Sequence, residues 1–194
     1  WMEEGFSMDS NTRGGLLKGL GRAMSGESIF LTTYTSSQDD AEIAFGSSFP
    51  GKILPVALEP GKTLIVPKHA FHAAEDGVNL QAHFRKKLGT GFFGGEGFVL
   101  QKLTGNGMAF LEIDGDIIEK TLAPGETLQV DQGYIAGFEE SVQFDITTVK
   151  GLKNKFFSGE GLFLATLSGP GKIWLQTMPF SVLADRIISL VPKG

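Results

Sequence analysis

The stretch "KHAFHAAED", Lys68 to Asp76, sets His69, His72, Glu75 and Asp76 within eight residues. Imidazoles and carboxylates gathered so closely are the ligand types that zinc and other divalent metals take. The spacing is a poor fit to that chemistry. Histidines at i and i+3 share a face of a helix, but on a strand they point to opposite faces. A solvated strand and turn explains the same residues, and few of the requirements of a metal site are met. The four are weak metal candidates, and they support at most a small-molecule or metal-binding protein.

Other catalytic patterns are missing from the sequence. Neither G-x-S-x-G nor H-E-x-x-H occurs. "GEGF", "GNG" and "GGLLKGLG" are rich in glycine but lack the Lys-Ser/Thr that completes a phosphate loop. No residue is therefore nominated as catalytic, and no cofactor is implied. The chain reads as non-enzymatic.

The charges are segregated. Arg13, Lys18 and Arg22 lie in one acid-free stretch, Arg85, Lys86 and Lys87 in a second, and Lys150, Lys153 and Lys155 in a third. These nine are more than half of the 17 basic residues, so the positive charge is concentrated in three linkers of a chain whose net charge is -5. Acidic pairs Glu3-Glu4, Glu75-Asp76 and Glu139-Glu140 recur at turns, which favours a structural or solubility role over catalysis. Leu16, Leu17, Leu20, Phe92, Phe93, Phe156 and Phe157 accompany the bases. Basic and apolar residues together suit an anionic membrane surface or an acidic protein partner. The competing account turns the apolar residues inward and leaves the bases solvated. The acidic total argues against a nucleic-acid partner. No run approaches the roughly 18 apolar residues of a membrane span. The absence of cysteine excludes disulfides. A cytoplasmic location, peripheral to a membrane where the basic linkers act, is the expectation.

The elements that must position these residues repeat. A shift of 64 positions carries Gly95-Glu96-Gly97 onto Gly159-Glu160-Gly161, and "LEPGKTLIV" (Leu58 to Val66) onto "LAPGETLQV" (Leu122 to Val130). "AEDGVNL" (Ala74 to Leu80) matches "FEESVQF" (Phe138 to Phe144) and, at the start, "MEEGFSM" (Met2 to Met8). A looser "SGESIFLTTY" adds Gly26-Glu27. Repetition on this scale implies a repeat architecture. The units are residues 1–57, 58–121 and 122–194 of one domain, the first lacking its opening strands. Since the first residue is Trp1, a native start further upstream is expected.

Glu27, Glu96 and Glu160 recur in all three units and are read as turn carboxylates, because three buried acids without counter-charge would be costly. Each unit reads as β. "FVLQKL" and "TLQV" are short apolar runs or alternations. "EPGK" and "APGE" suit type II turns. Asp-Gly in "EIDGDII" predicts a hairpin. One helix follows Pro179, with Ser181 as its cap and Leu183, Ala184, Ile187, Ile188 and Val191 at helical spacing. A short second helix is predicted in "GLLKGLGRAM".

The stretches "GEGFVLQKLTGNGMAFLEIDGDIIEKTLAPGETLQVDQGYIAGFEESVQFDI", "GLLKGLGRAMSGESIFLTTYT" and "MPFSVLADRI" resemble bacterial proteins related to the mitochondrial biogenesis protein AIM24. The resemblance covers nearly the whole chain. It implies an all-β fold similar to the tryptophan RNA-binding attenuation protein: double-stranded β-helix (TRAP-like) units, three per chain, with pseudo-threefold symmetry. It implies no established biochemical activity. Eukaryotic relatives are linked to organisation of the mitochondrial inner membrane. It also points to a homo-oligomer. Fold does not carry function, so no RNA or tryptophan ligand follows from it. The expectation is a β-scaffold or interaction protein.

Overall fold

The computed structural model describes residues 1–11, 31–86, 98–148 and 163–192. The chain divides into two compact units, Trp1–Gly46 and Ser47–Gly194. In the first, β1 (Phe6–Asn11) pairs antiparallel with β2 (Leu31–Ser36), with Phe6 opposite Ser36. Met2 bridges to Ile43, and Tyr34 meets Phe45 edge to face at 5.2 Å.

The described residues of the second unit are predominantly β. Its strands are β3 (Gly51–Leu58), β4 (Thr63–Pro67), β5 (Phe71–Ala74), β6 (Val78–Lys86), β7 (Phe98–Gly105) and β8 (Gly107–Asp114), then β9 (Ile117–Leu122), β10 (Thr127–Asp131), β11 (Ile135–Glu139), β12 (Gln143–Thr148), β13 (Phe163–Ser168) and β14 (Gly171–Gln176). A 3-10 turn, Lys68–Ala70, follows β4, and another, Gln132–Tyr134, follows β10. Both β4 and β10 are entered through a Pro-Gly turn of the predicted kind. Gly61 and Gly125 sit at φ +85° and +78°, and Lys62 N–H and Glu126 N–H close on the carbonyls of Glu59 and Ala123 at 2.9 and 3.0 Å. Positive φ at the third residue is what a type II turn requires.

These strands form three sheets: β3-β8-β5, β10-β13-β12, and the six-stranded β6-β7-β4-β11-β14-β9. The six-stranded sheet is apolar on both faces. Leu64, Val66, Ala136 and Trp174 pack with Leu111 and Ile113 of β8 on one side. Ile65, Ile135, Phe138 and Ile173 pack with Ala165 and Leu167 of β13 on the other. Alternation along each strand does this: successive side chains leave opposite faces, so "LIV" in β4 feeds both cores. Phe144 stacks between Phe98 and Phe138, with centroids 5.7 and 5.5 Å away. The halves of the sheet meet where β4 pairs β11, Ile65 opposite Phe138 and Leu64 opposite Glu139.

Two local expectations are corrected. The Asp114-Gly115 step turns the chain, with Gly115 at φ +78°, but makes no hairpin. β8 already has β3 and β5 as neighbours, so it has no free edge, and β9 pairs with β14 instead. The helix α1 (Phe180–Ile188) forms after Pro179, yet Ser181 falls inside its first turn and does not cap it. The carboxylate of Asp114 accepts the Phe180 N–H at 2.7 Å and takes over that work. A negative group there also suits the positive end of the helix. The expected helix in "GLLKGLGRAM" lies outside the described residues. No helix among the described residues is long and apolar enough to cross a membrane.

The two-faced sheet makes Phe138 a test of the packing. It is 1% exposed, so Phe138→Ala is expected to cost about 3–5 kcal/mol in urea unfolding. Val182→Ala on the exposed side of α1 should change stability by less than about 0.5 kcal/mol.

Candidate functional site: carboxylates and histidines around strand β8

Glu112 and Asp114 stand two residues apart on β8 and so leave the same side of the strand. Both are buried, at 7% and 6% exposure, although charged residues rarely are. Their partners explain it. One oxygen of Glu112 accepts the Ser47 hydroxyl, the Ser48 N–H at 2.6 Å and the Phe49 N–H at 3.2 Å. The other oxygen lies 3.6 Å from Nδ1 of His72. Asp114 holds the first amide of α1, and its own N–H donates to Oε1 of Gln176 at 3.1 Å. Phe49 and Phe180, one from each fastened segment, pack at 4.3 Å between centroids.

Burial alone raises the pKa of Glu112. The bonds from Ser47, Ser48 and Phe49 and the nearby His72 outweigh it, and the group ends below the ordinary carboxylate range. His69 keeps an exposed edge, but the protein around it lowers its pKa by desolvation, more than Asp114 and Glu112 raise it.

The order of these groups decides what they can do. Activation of a serine nucleophile needs a base beside the hydroxyl and an orienting acid behind the base. Here the acid lies between Ser47 and His72, so the hydroxyl meets a carboxylate of lowered basicity. The arrangement is a clasp. It fixes residues 47–49 and the start of α1 to one strand.

Of the four metal candidates, the structure brings His72 to Glu112 and sets His69 close enough to feel the charges of Glu112 and Asp114. Glu75 is elsewhere: its carboxylate accepts the Met108 N–H at 2.7 Å. Asp76 follows it in an exposed turn. Among the described residues, no three His, Asp or Glu side chains converge as metal ligands. Arg85 and Lys86 lie on β6. Lys18, Arg22, Lys87, Lys150, Lys153 and Lys155 lie outside the described residues, as do Glu27, Glu96 and Glu160.

The acidic turns have a definite local role. Glu139 accepts the Lys172 N–H at 2.8 Å, as Glu75 accepts that of Met108. Glu3 accepts the Glu42 N–H at 2.9 Å and donates its own N–H to the Glu42 carbonyl at 3.1 Å. Glu75 N–H likewise reaches the Met108 carbonyl at 2.9 Å. In each case one glutamate locks its turn to a later backbone amide, at the start of a strand for Glu75 and Glu139 and in the loop after β2 for Glu3. The signal for these locks was the recurrence of the acidic pairs. Glu112 and Asp114 also carried one, their equal parity in an otherwise apolar alternation, and it was masked by the reading of Asp-Gly as a hairpin.

An open groove of about 580 Å³ runs beside the joint of β4 and β11, bordered by Leu58, Lys62, Leu64, Glu139, Lys172 and Trp174. Its charges are already matched. Lys62 pairs with Glu59 at 2.7 Å and Lys172 with Glu119 at 2.8 Å. The Lys172 ammonium also lies over the Trp174 ring, 5.8 Å from its centroid.

Glutamate turn locks, buried carboxylates used as clasps and a predominantly β frame define a structural class before any activity. The model of the family "Mitochondrial biogenesis AIM24" matches residues 1–178, and the chain belongs to that family. It is similar to an uncharacterized protein of Streptococcus pyogenes serotype M6, 28% identical over 182 residues, which are 93% of this chain and 72% of that one. Its fold is similar to the X-ray structure of a Streptococcus pyogenes protein from a structural genomics consortium. The TM-score is 0.78 at 25% identity, covering 98% of this chain and 85% of that chain.

The clasp gives a pH prediction. A carboxylate whose folded pKa is lowered adds stability above its unfolded pKa, near 4.3, and loses it as pH falls through the folded value. Glu112→Gln is expected to cost about 1–3 kcal/mol at pH 7, with a flatter loss of stability below pH 4 than the parent chain shows. Denaturant melts across that range, with hydrogen exchange at Ser48 and Phe49, check it.

Proposed function

We propose that this protein is a non-enzymatic β-scaffold that works by binding other surfaces. The observation that carries the reading is the use of its buried acids. Among the described residues, Glu112 and Asp114 are the buried carboxylates of the second unit, and both accept backbone donors. Groups held this way stiffen a frame. Glu112, held below the ordinary carboxylate range, is moved away from the pKa near working pH that proton transfer favours.

The finer architecture we propose is three double-stranded β-helix units with pseudo-threefold symmetry, the first incomplete. Two features support it. The order of seven elements from β3 to β8 recurs from β9 to β14, with β4 and β10 offset by 64 residues. The glutamate lock occurs at Glu3, Glu75 and Glu139. The partners we infer are a second copy of the chain and an anionic surface, a membrane or an acidic protein, met by the basic linkers. A cytoplasmic, membrane-peripheral location fits that role.

Co-sedimentation with vesicles tests the surface. Binding to anionic but not neutral vesicles is expected at low salt, weakening as salt screens it. Loss of binding when Lys86, Lys87, Lys150 and Lys153 become Gln would support the linkers, and undiminished binding would sink them. The second reading, a metal-binding protein, draws on the approach of His72 to Glu112. It requires a stoichiometric metal in purified protein that His69→Ala with His72→Ala removes.

A further inference from the structure

Strand β10 has one hydrogen-bonded neighbour among the described residues, β13. Its counterpart β4 follows the same Pro-Gly turn, precedes the same 3-10 turn, and has two, β7 and β11. The difference shows in burial. Leu64, Ile65 and Val66 are at most 3% exposed. Leu128 and Val130 are only half-buried, and Gln129 is exposed. The Thr63 carbonyl accepts the Glu140 N–H at 3.3 Å, so Thr63 and Ile65 direct their backbone groups toward β11. By the same alternation Thr127, Gln129 and Asp131 direct theirs away from β13, along the open edge.

Open edges invite pairing, and proteins guard them with charge, proline, bulges or shortness. The other edges of the second unit's three sheets are guarded, among the described residues. β3 carries Lys52 and Pro55, β9 carries Lys120, and β12 carries Asp145. β6 is bulged and ends in Arg85 and Lys86, and β5 has only four residues. From Thr127 to Val130, β10 has no charge and no proline. The Asp131 carboxylate folds back to accept the Gly133 N–H at 2.9 Å.

We propose that two copies of this chain associate about a twofold axis by pairing β10 with β10 antiparallel, centred on Gln129. A second copy suits this edge because its sequence is self-complementary. Centred on Gln129, the pair sets Leu128 opposite Val130 of the partner subunit and Thr127 opposite Asp131 of the partner subunit. No like charges meet. Leu128 and Val130 already pack on the core beneath β10, so each apolar pair extends that core across the axis. An isologous contact also closes on itself and limits growth to a dimer. The proposal deepens the scaffold reading by naming the surface through which copies meet.

The chain has no cysteine, so a single introduced thiol reports on its neighbour. Light scattering of the unmodified chain should give twice the 20.8 kDa of one copy. Paired central residues lie about 5.5 Å apart, within disulfide range. Gln129→Cys should therefore cross-link on mild oxidation about tenfold faster than Thr121→Cys on the guarded β9 edge. Gln129→Pro, which removes the outward N–H and leaves the β13 side intact, should give a monomer with unchanged circular dichroism. A monomeric parent chain, equal cross-linking of the two thiols, or a Gln129→Pro variant that stays dimeric would each overturn the proposal. Cover of the edge by the chain itself would appear as the first of these. None of those results bears on vesicle binding, so the anionic-surface part of the scaffold reading stands or falls separately.

Discussion

The second unit depends on a sheet that must be buried on both faces. Joining β4 to β11 makes it so, and the joint is short: Ile65 faces Phe138 and Leu64 faces Glu139. Without it, each half of the six-stranded sheet would end in an open edge, and the two cores would lose the strands they share. Each strand at the joint serves both sides. Ile65 belongs to one core and Leu64 and Val66 to the other. Trp174 crosses the same boundary, lying among residues of β4, β7 and β8 while Nε1 donates to Glu119 of β9 at 2.9 Å.

The polar groups serve the same end. A β frame with many turns leaves backbone amides at strand starts that no sheet neighbour satisfies, and a buried unsatisfied amide is costly. Glu75 and Glu139 meet two such amides, Glu112 meets two more, and Asp114 meets the first of α1. A charged acceptor makes a stronger bond than a neutral one. These carboxylates serve the construction of the frame.

Much of the local structure was legible in the sequence. The Pro-Gly turns fix a positive φ at Gly61 and Gly125, so their type followed from residue identity alone. The strands "FVLQKL" and "TLQV" and the helix after Pro179 followed from periodicity. The failures share a cause. Asp114-Gly115 has hairpin chemistry, but whether β8 could accept β9 depended on β3 and β5, which are distant in sequence. Ser181 has capping chemistry, but a carboxylate 66 residues before Phe180 supplied the acceptor. Local rules name the turn and the helix. Competition for edges and amide ends is settled by tertiary neighbours, and Glu112 became part of a site only through Ser47 and His72.

The clasp at Glu112 has a mechanical consequence. It grips residues 47–49, immediately after the boundary between the two compact units at Gly46. Three donors converge on a single oxygen, so residues 47–49 cannot leave β8 one at a time. One side chain thus fixes the path by which the chain enters β3, and that entry opens as a whole or stays shut.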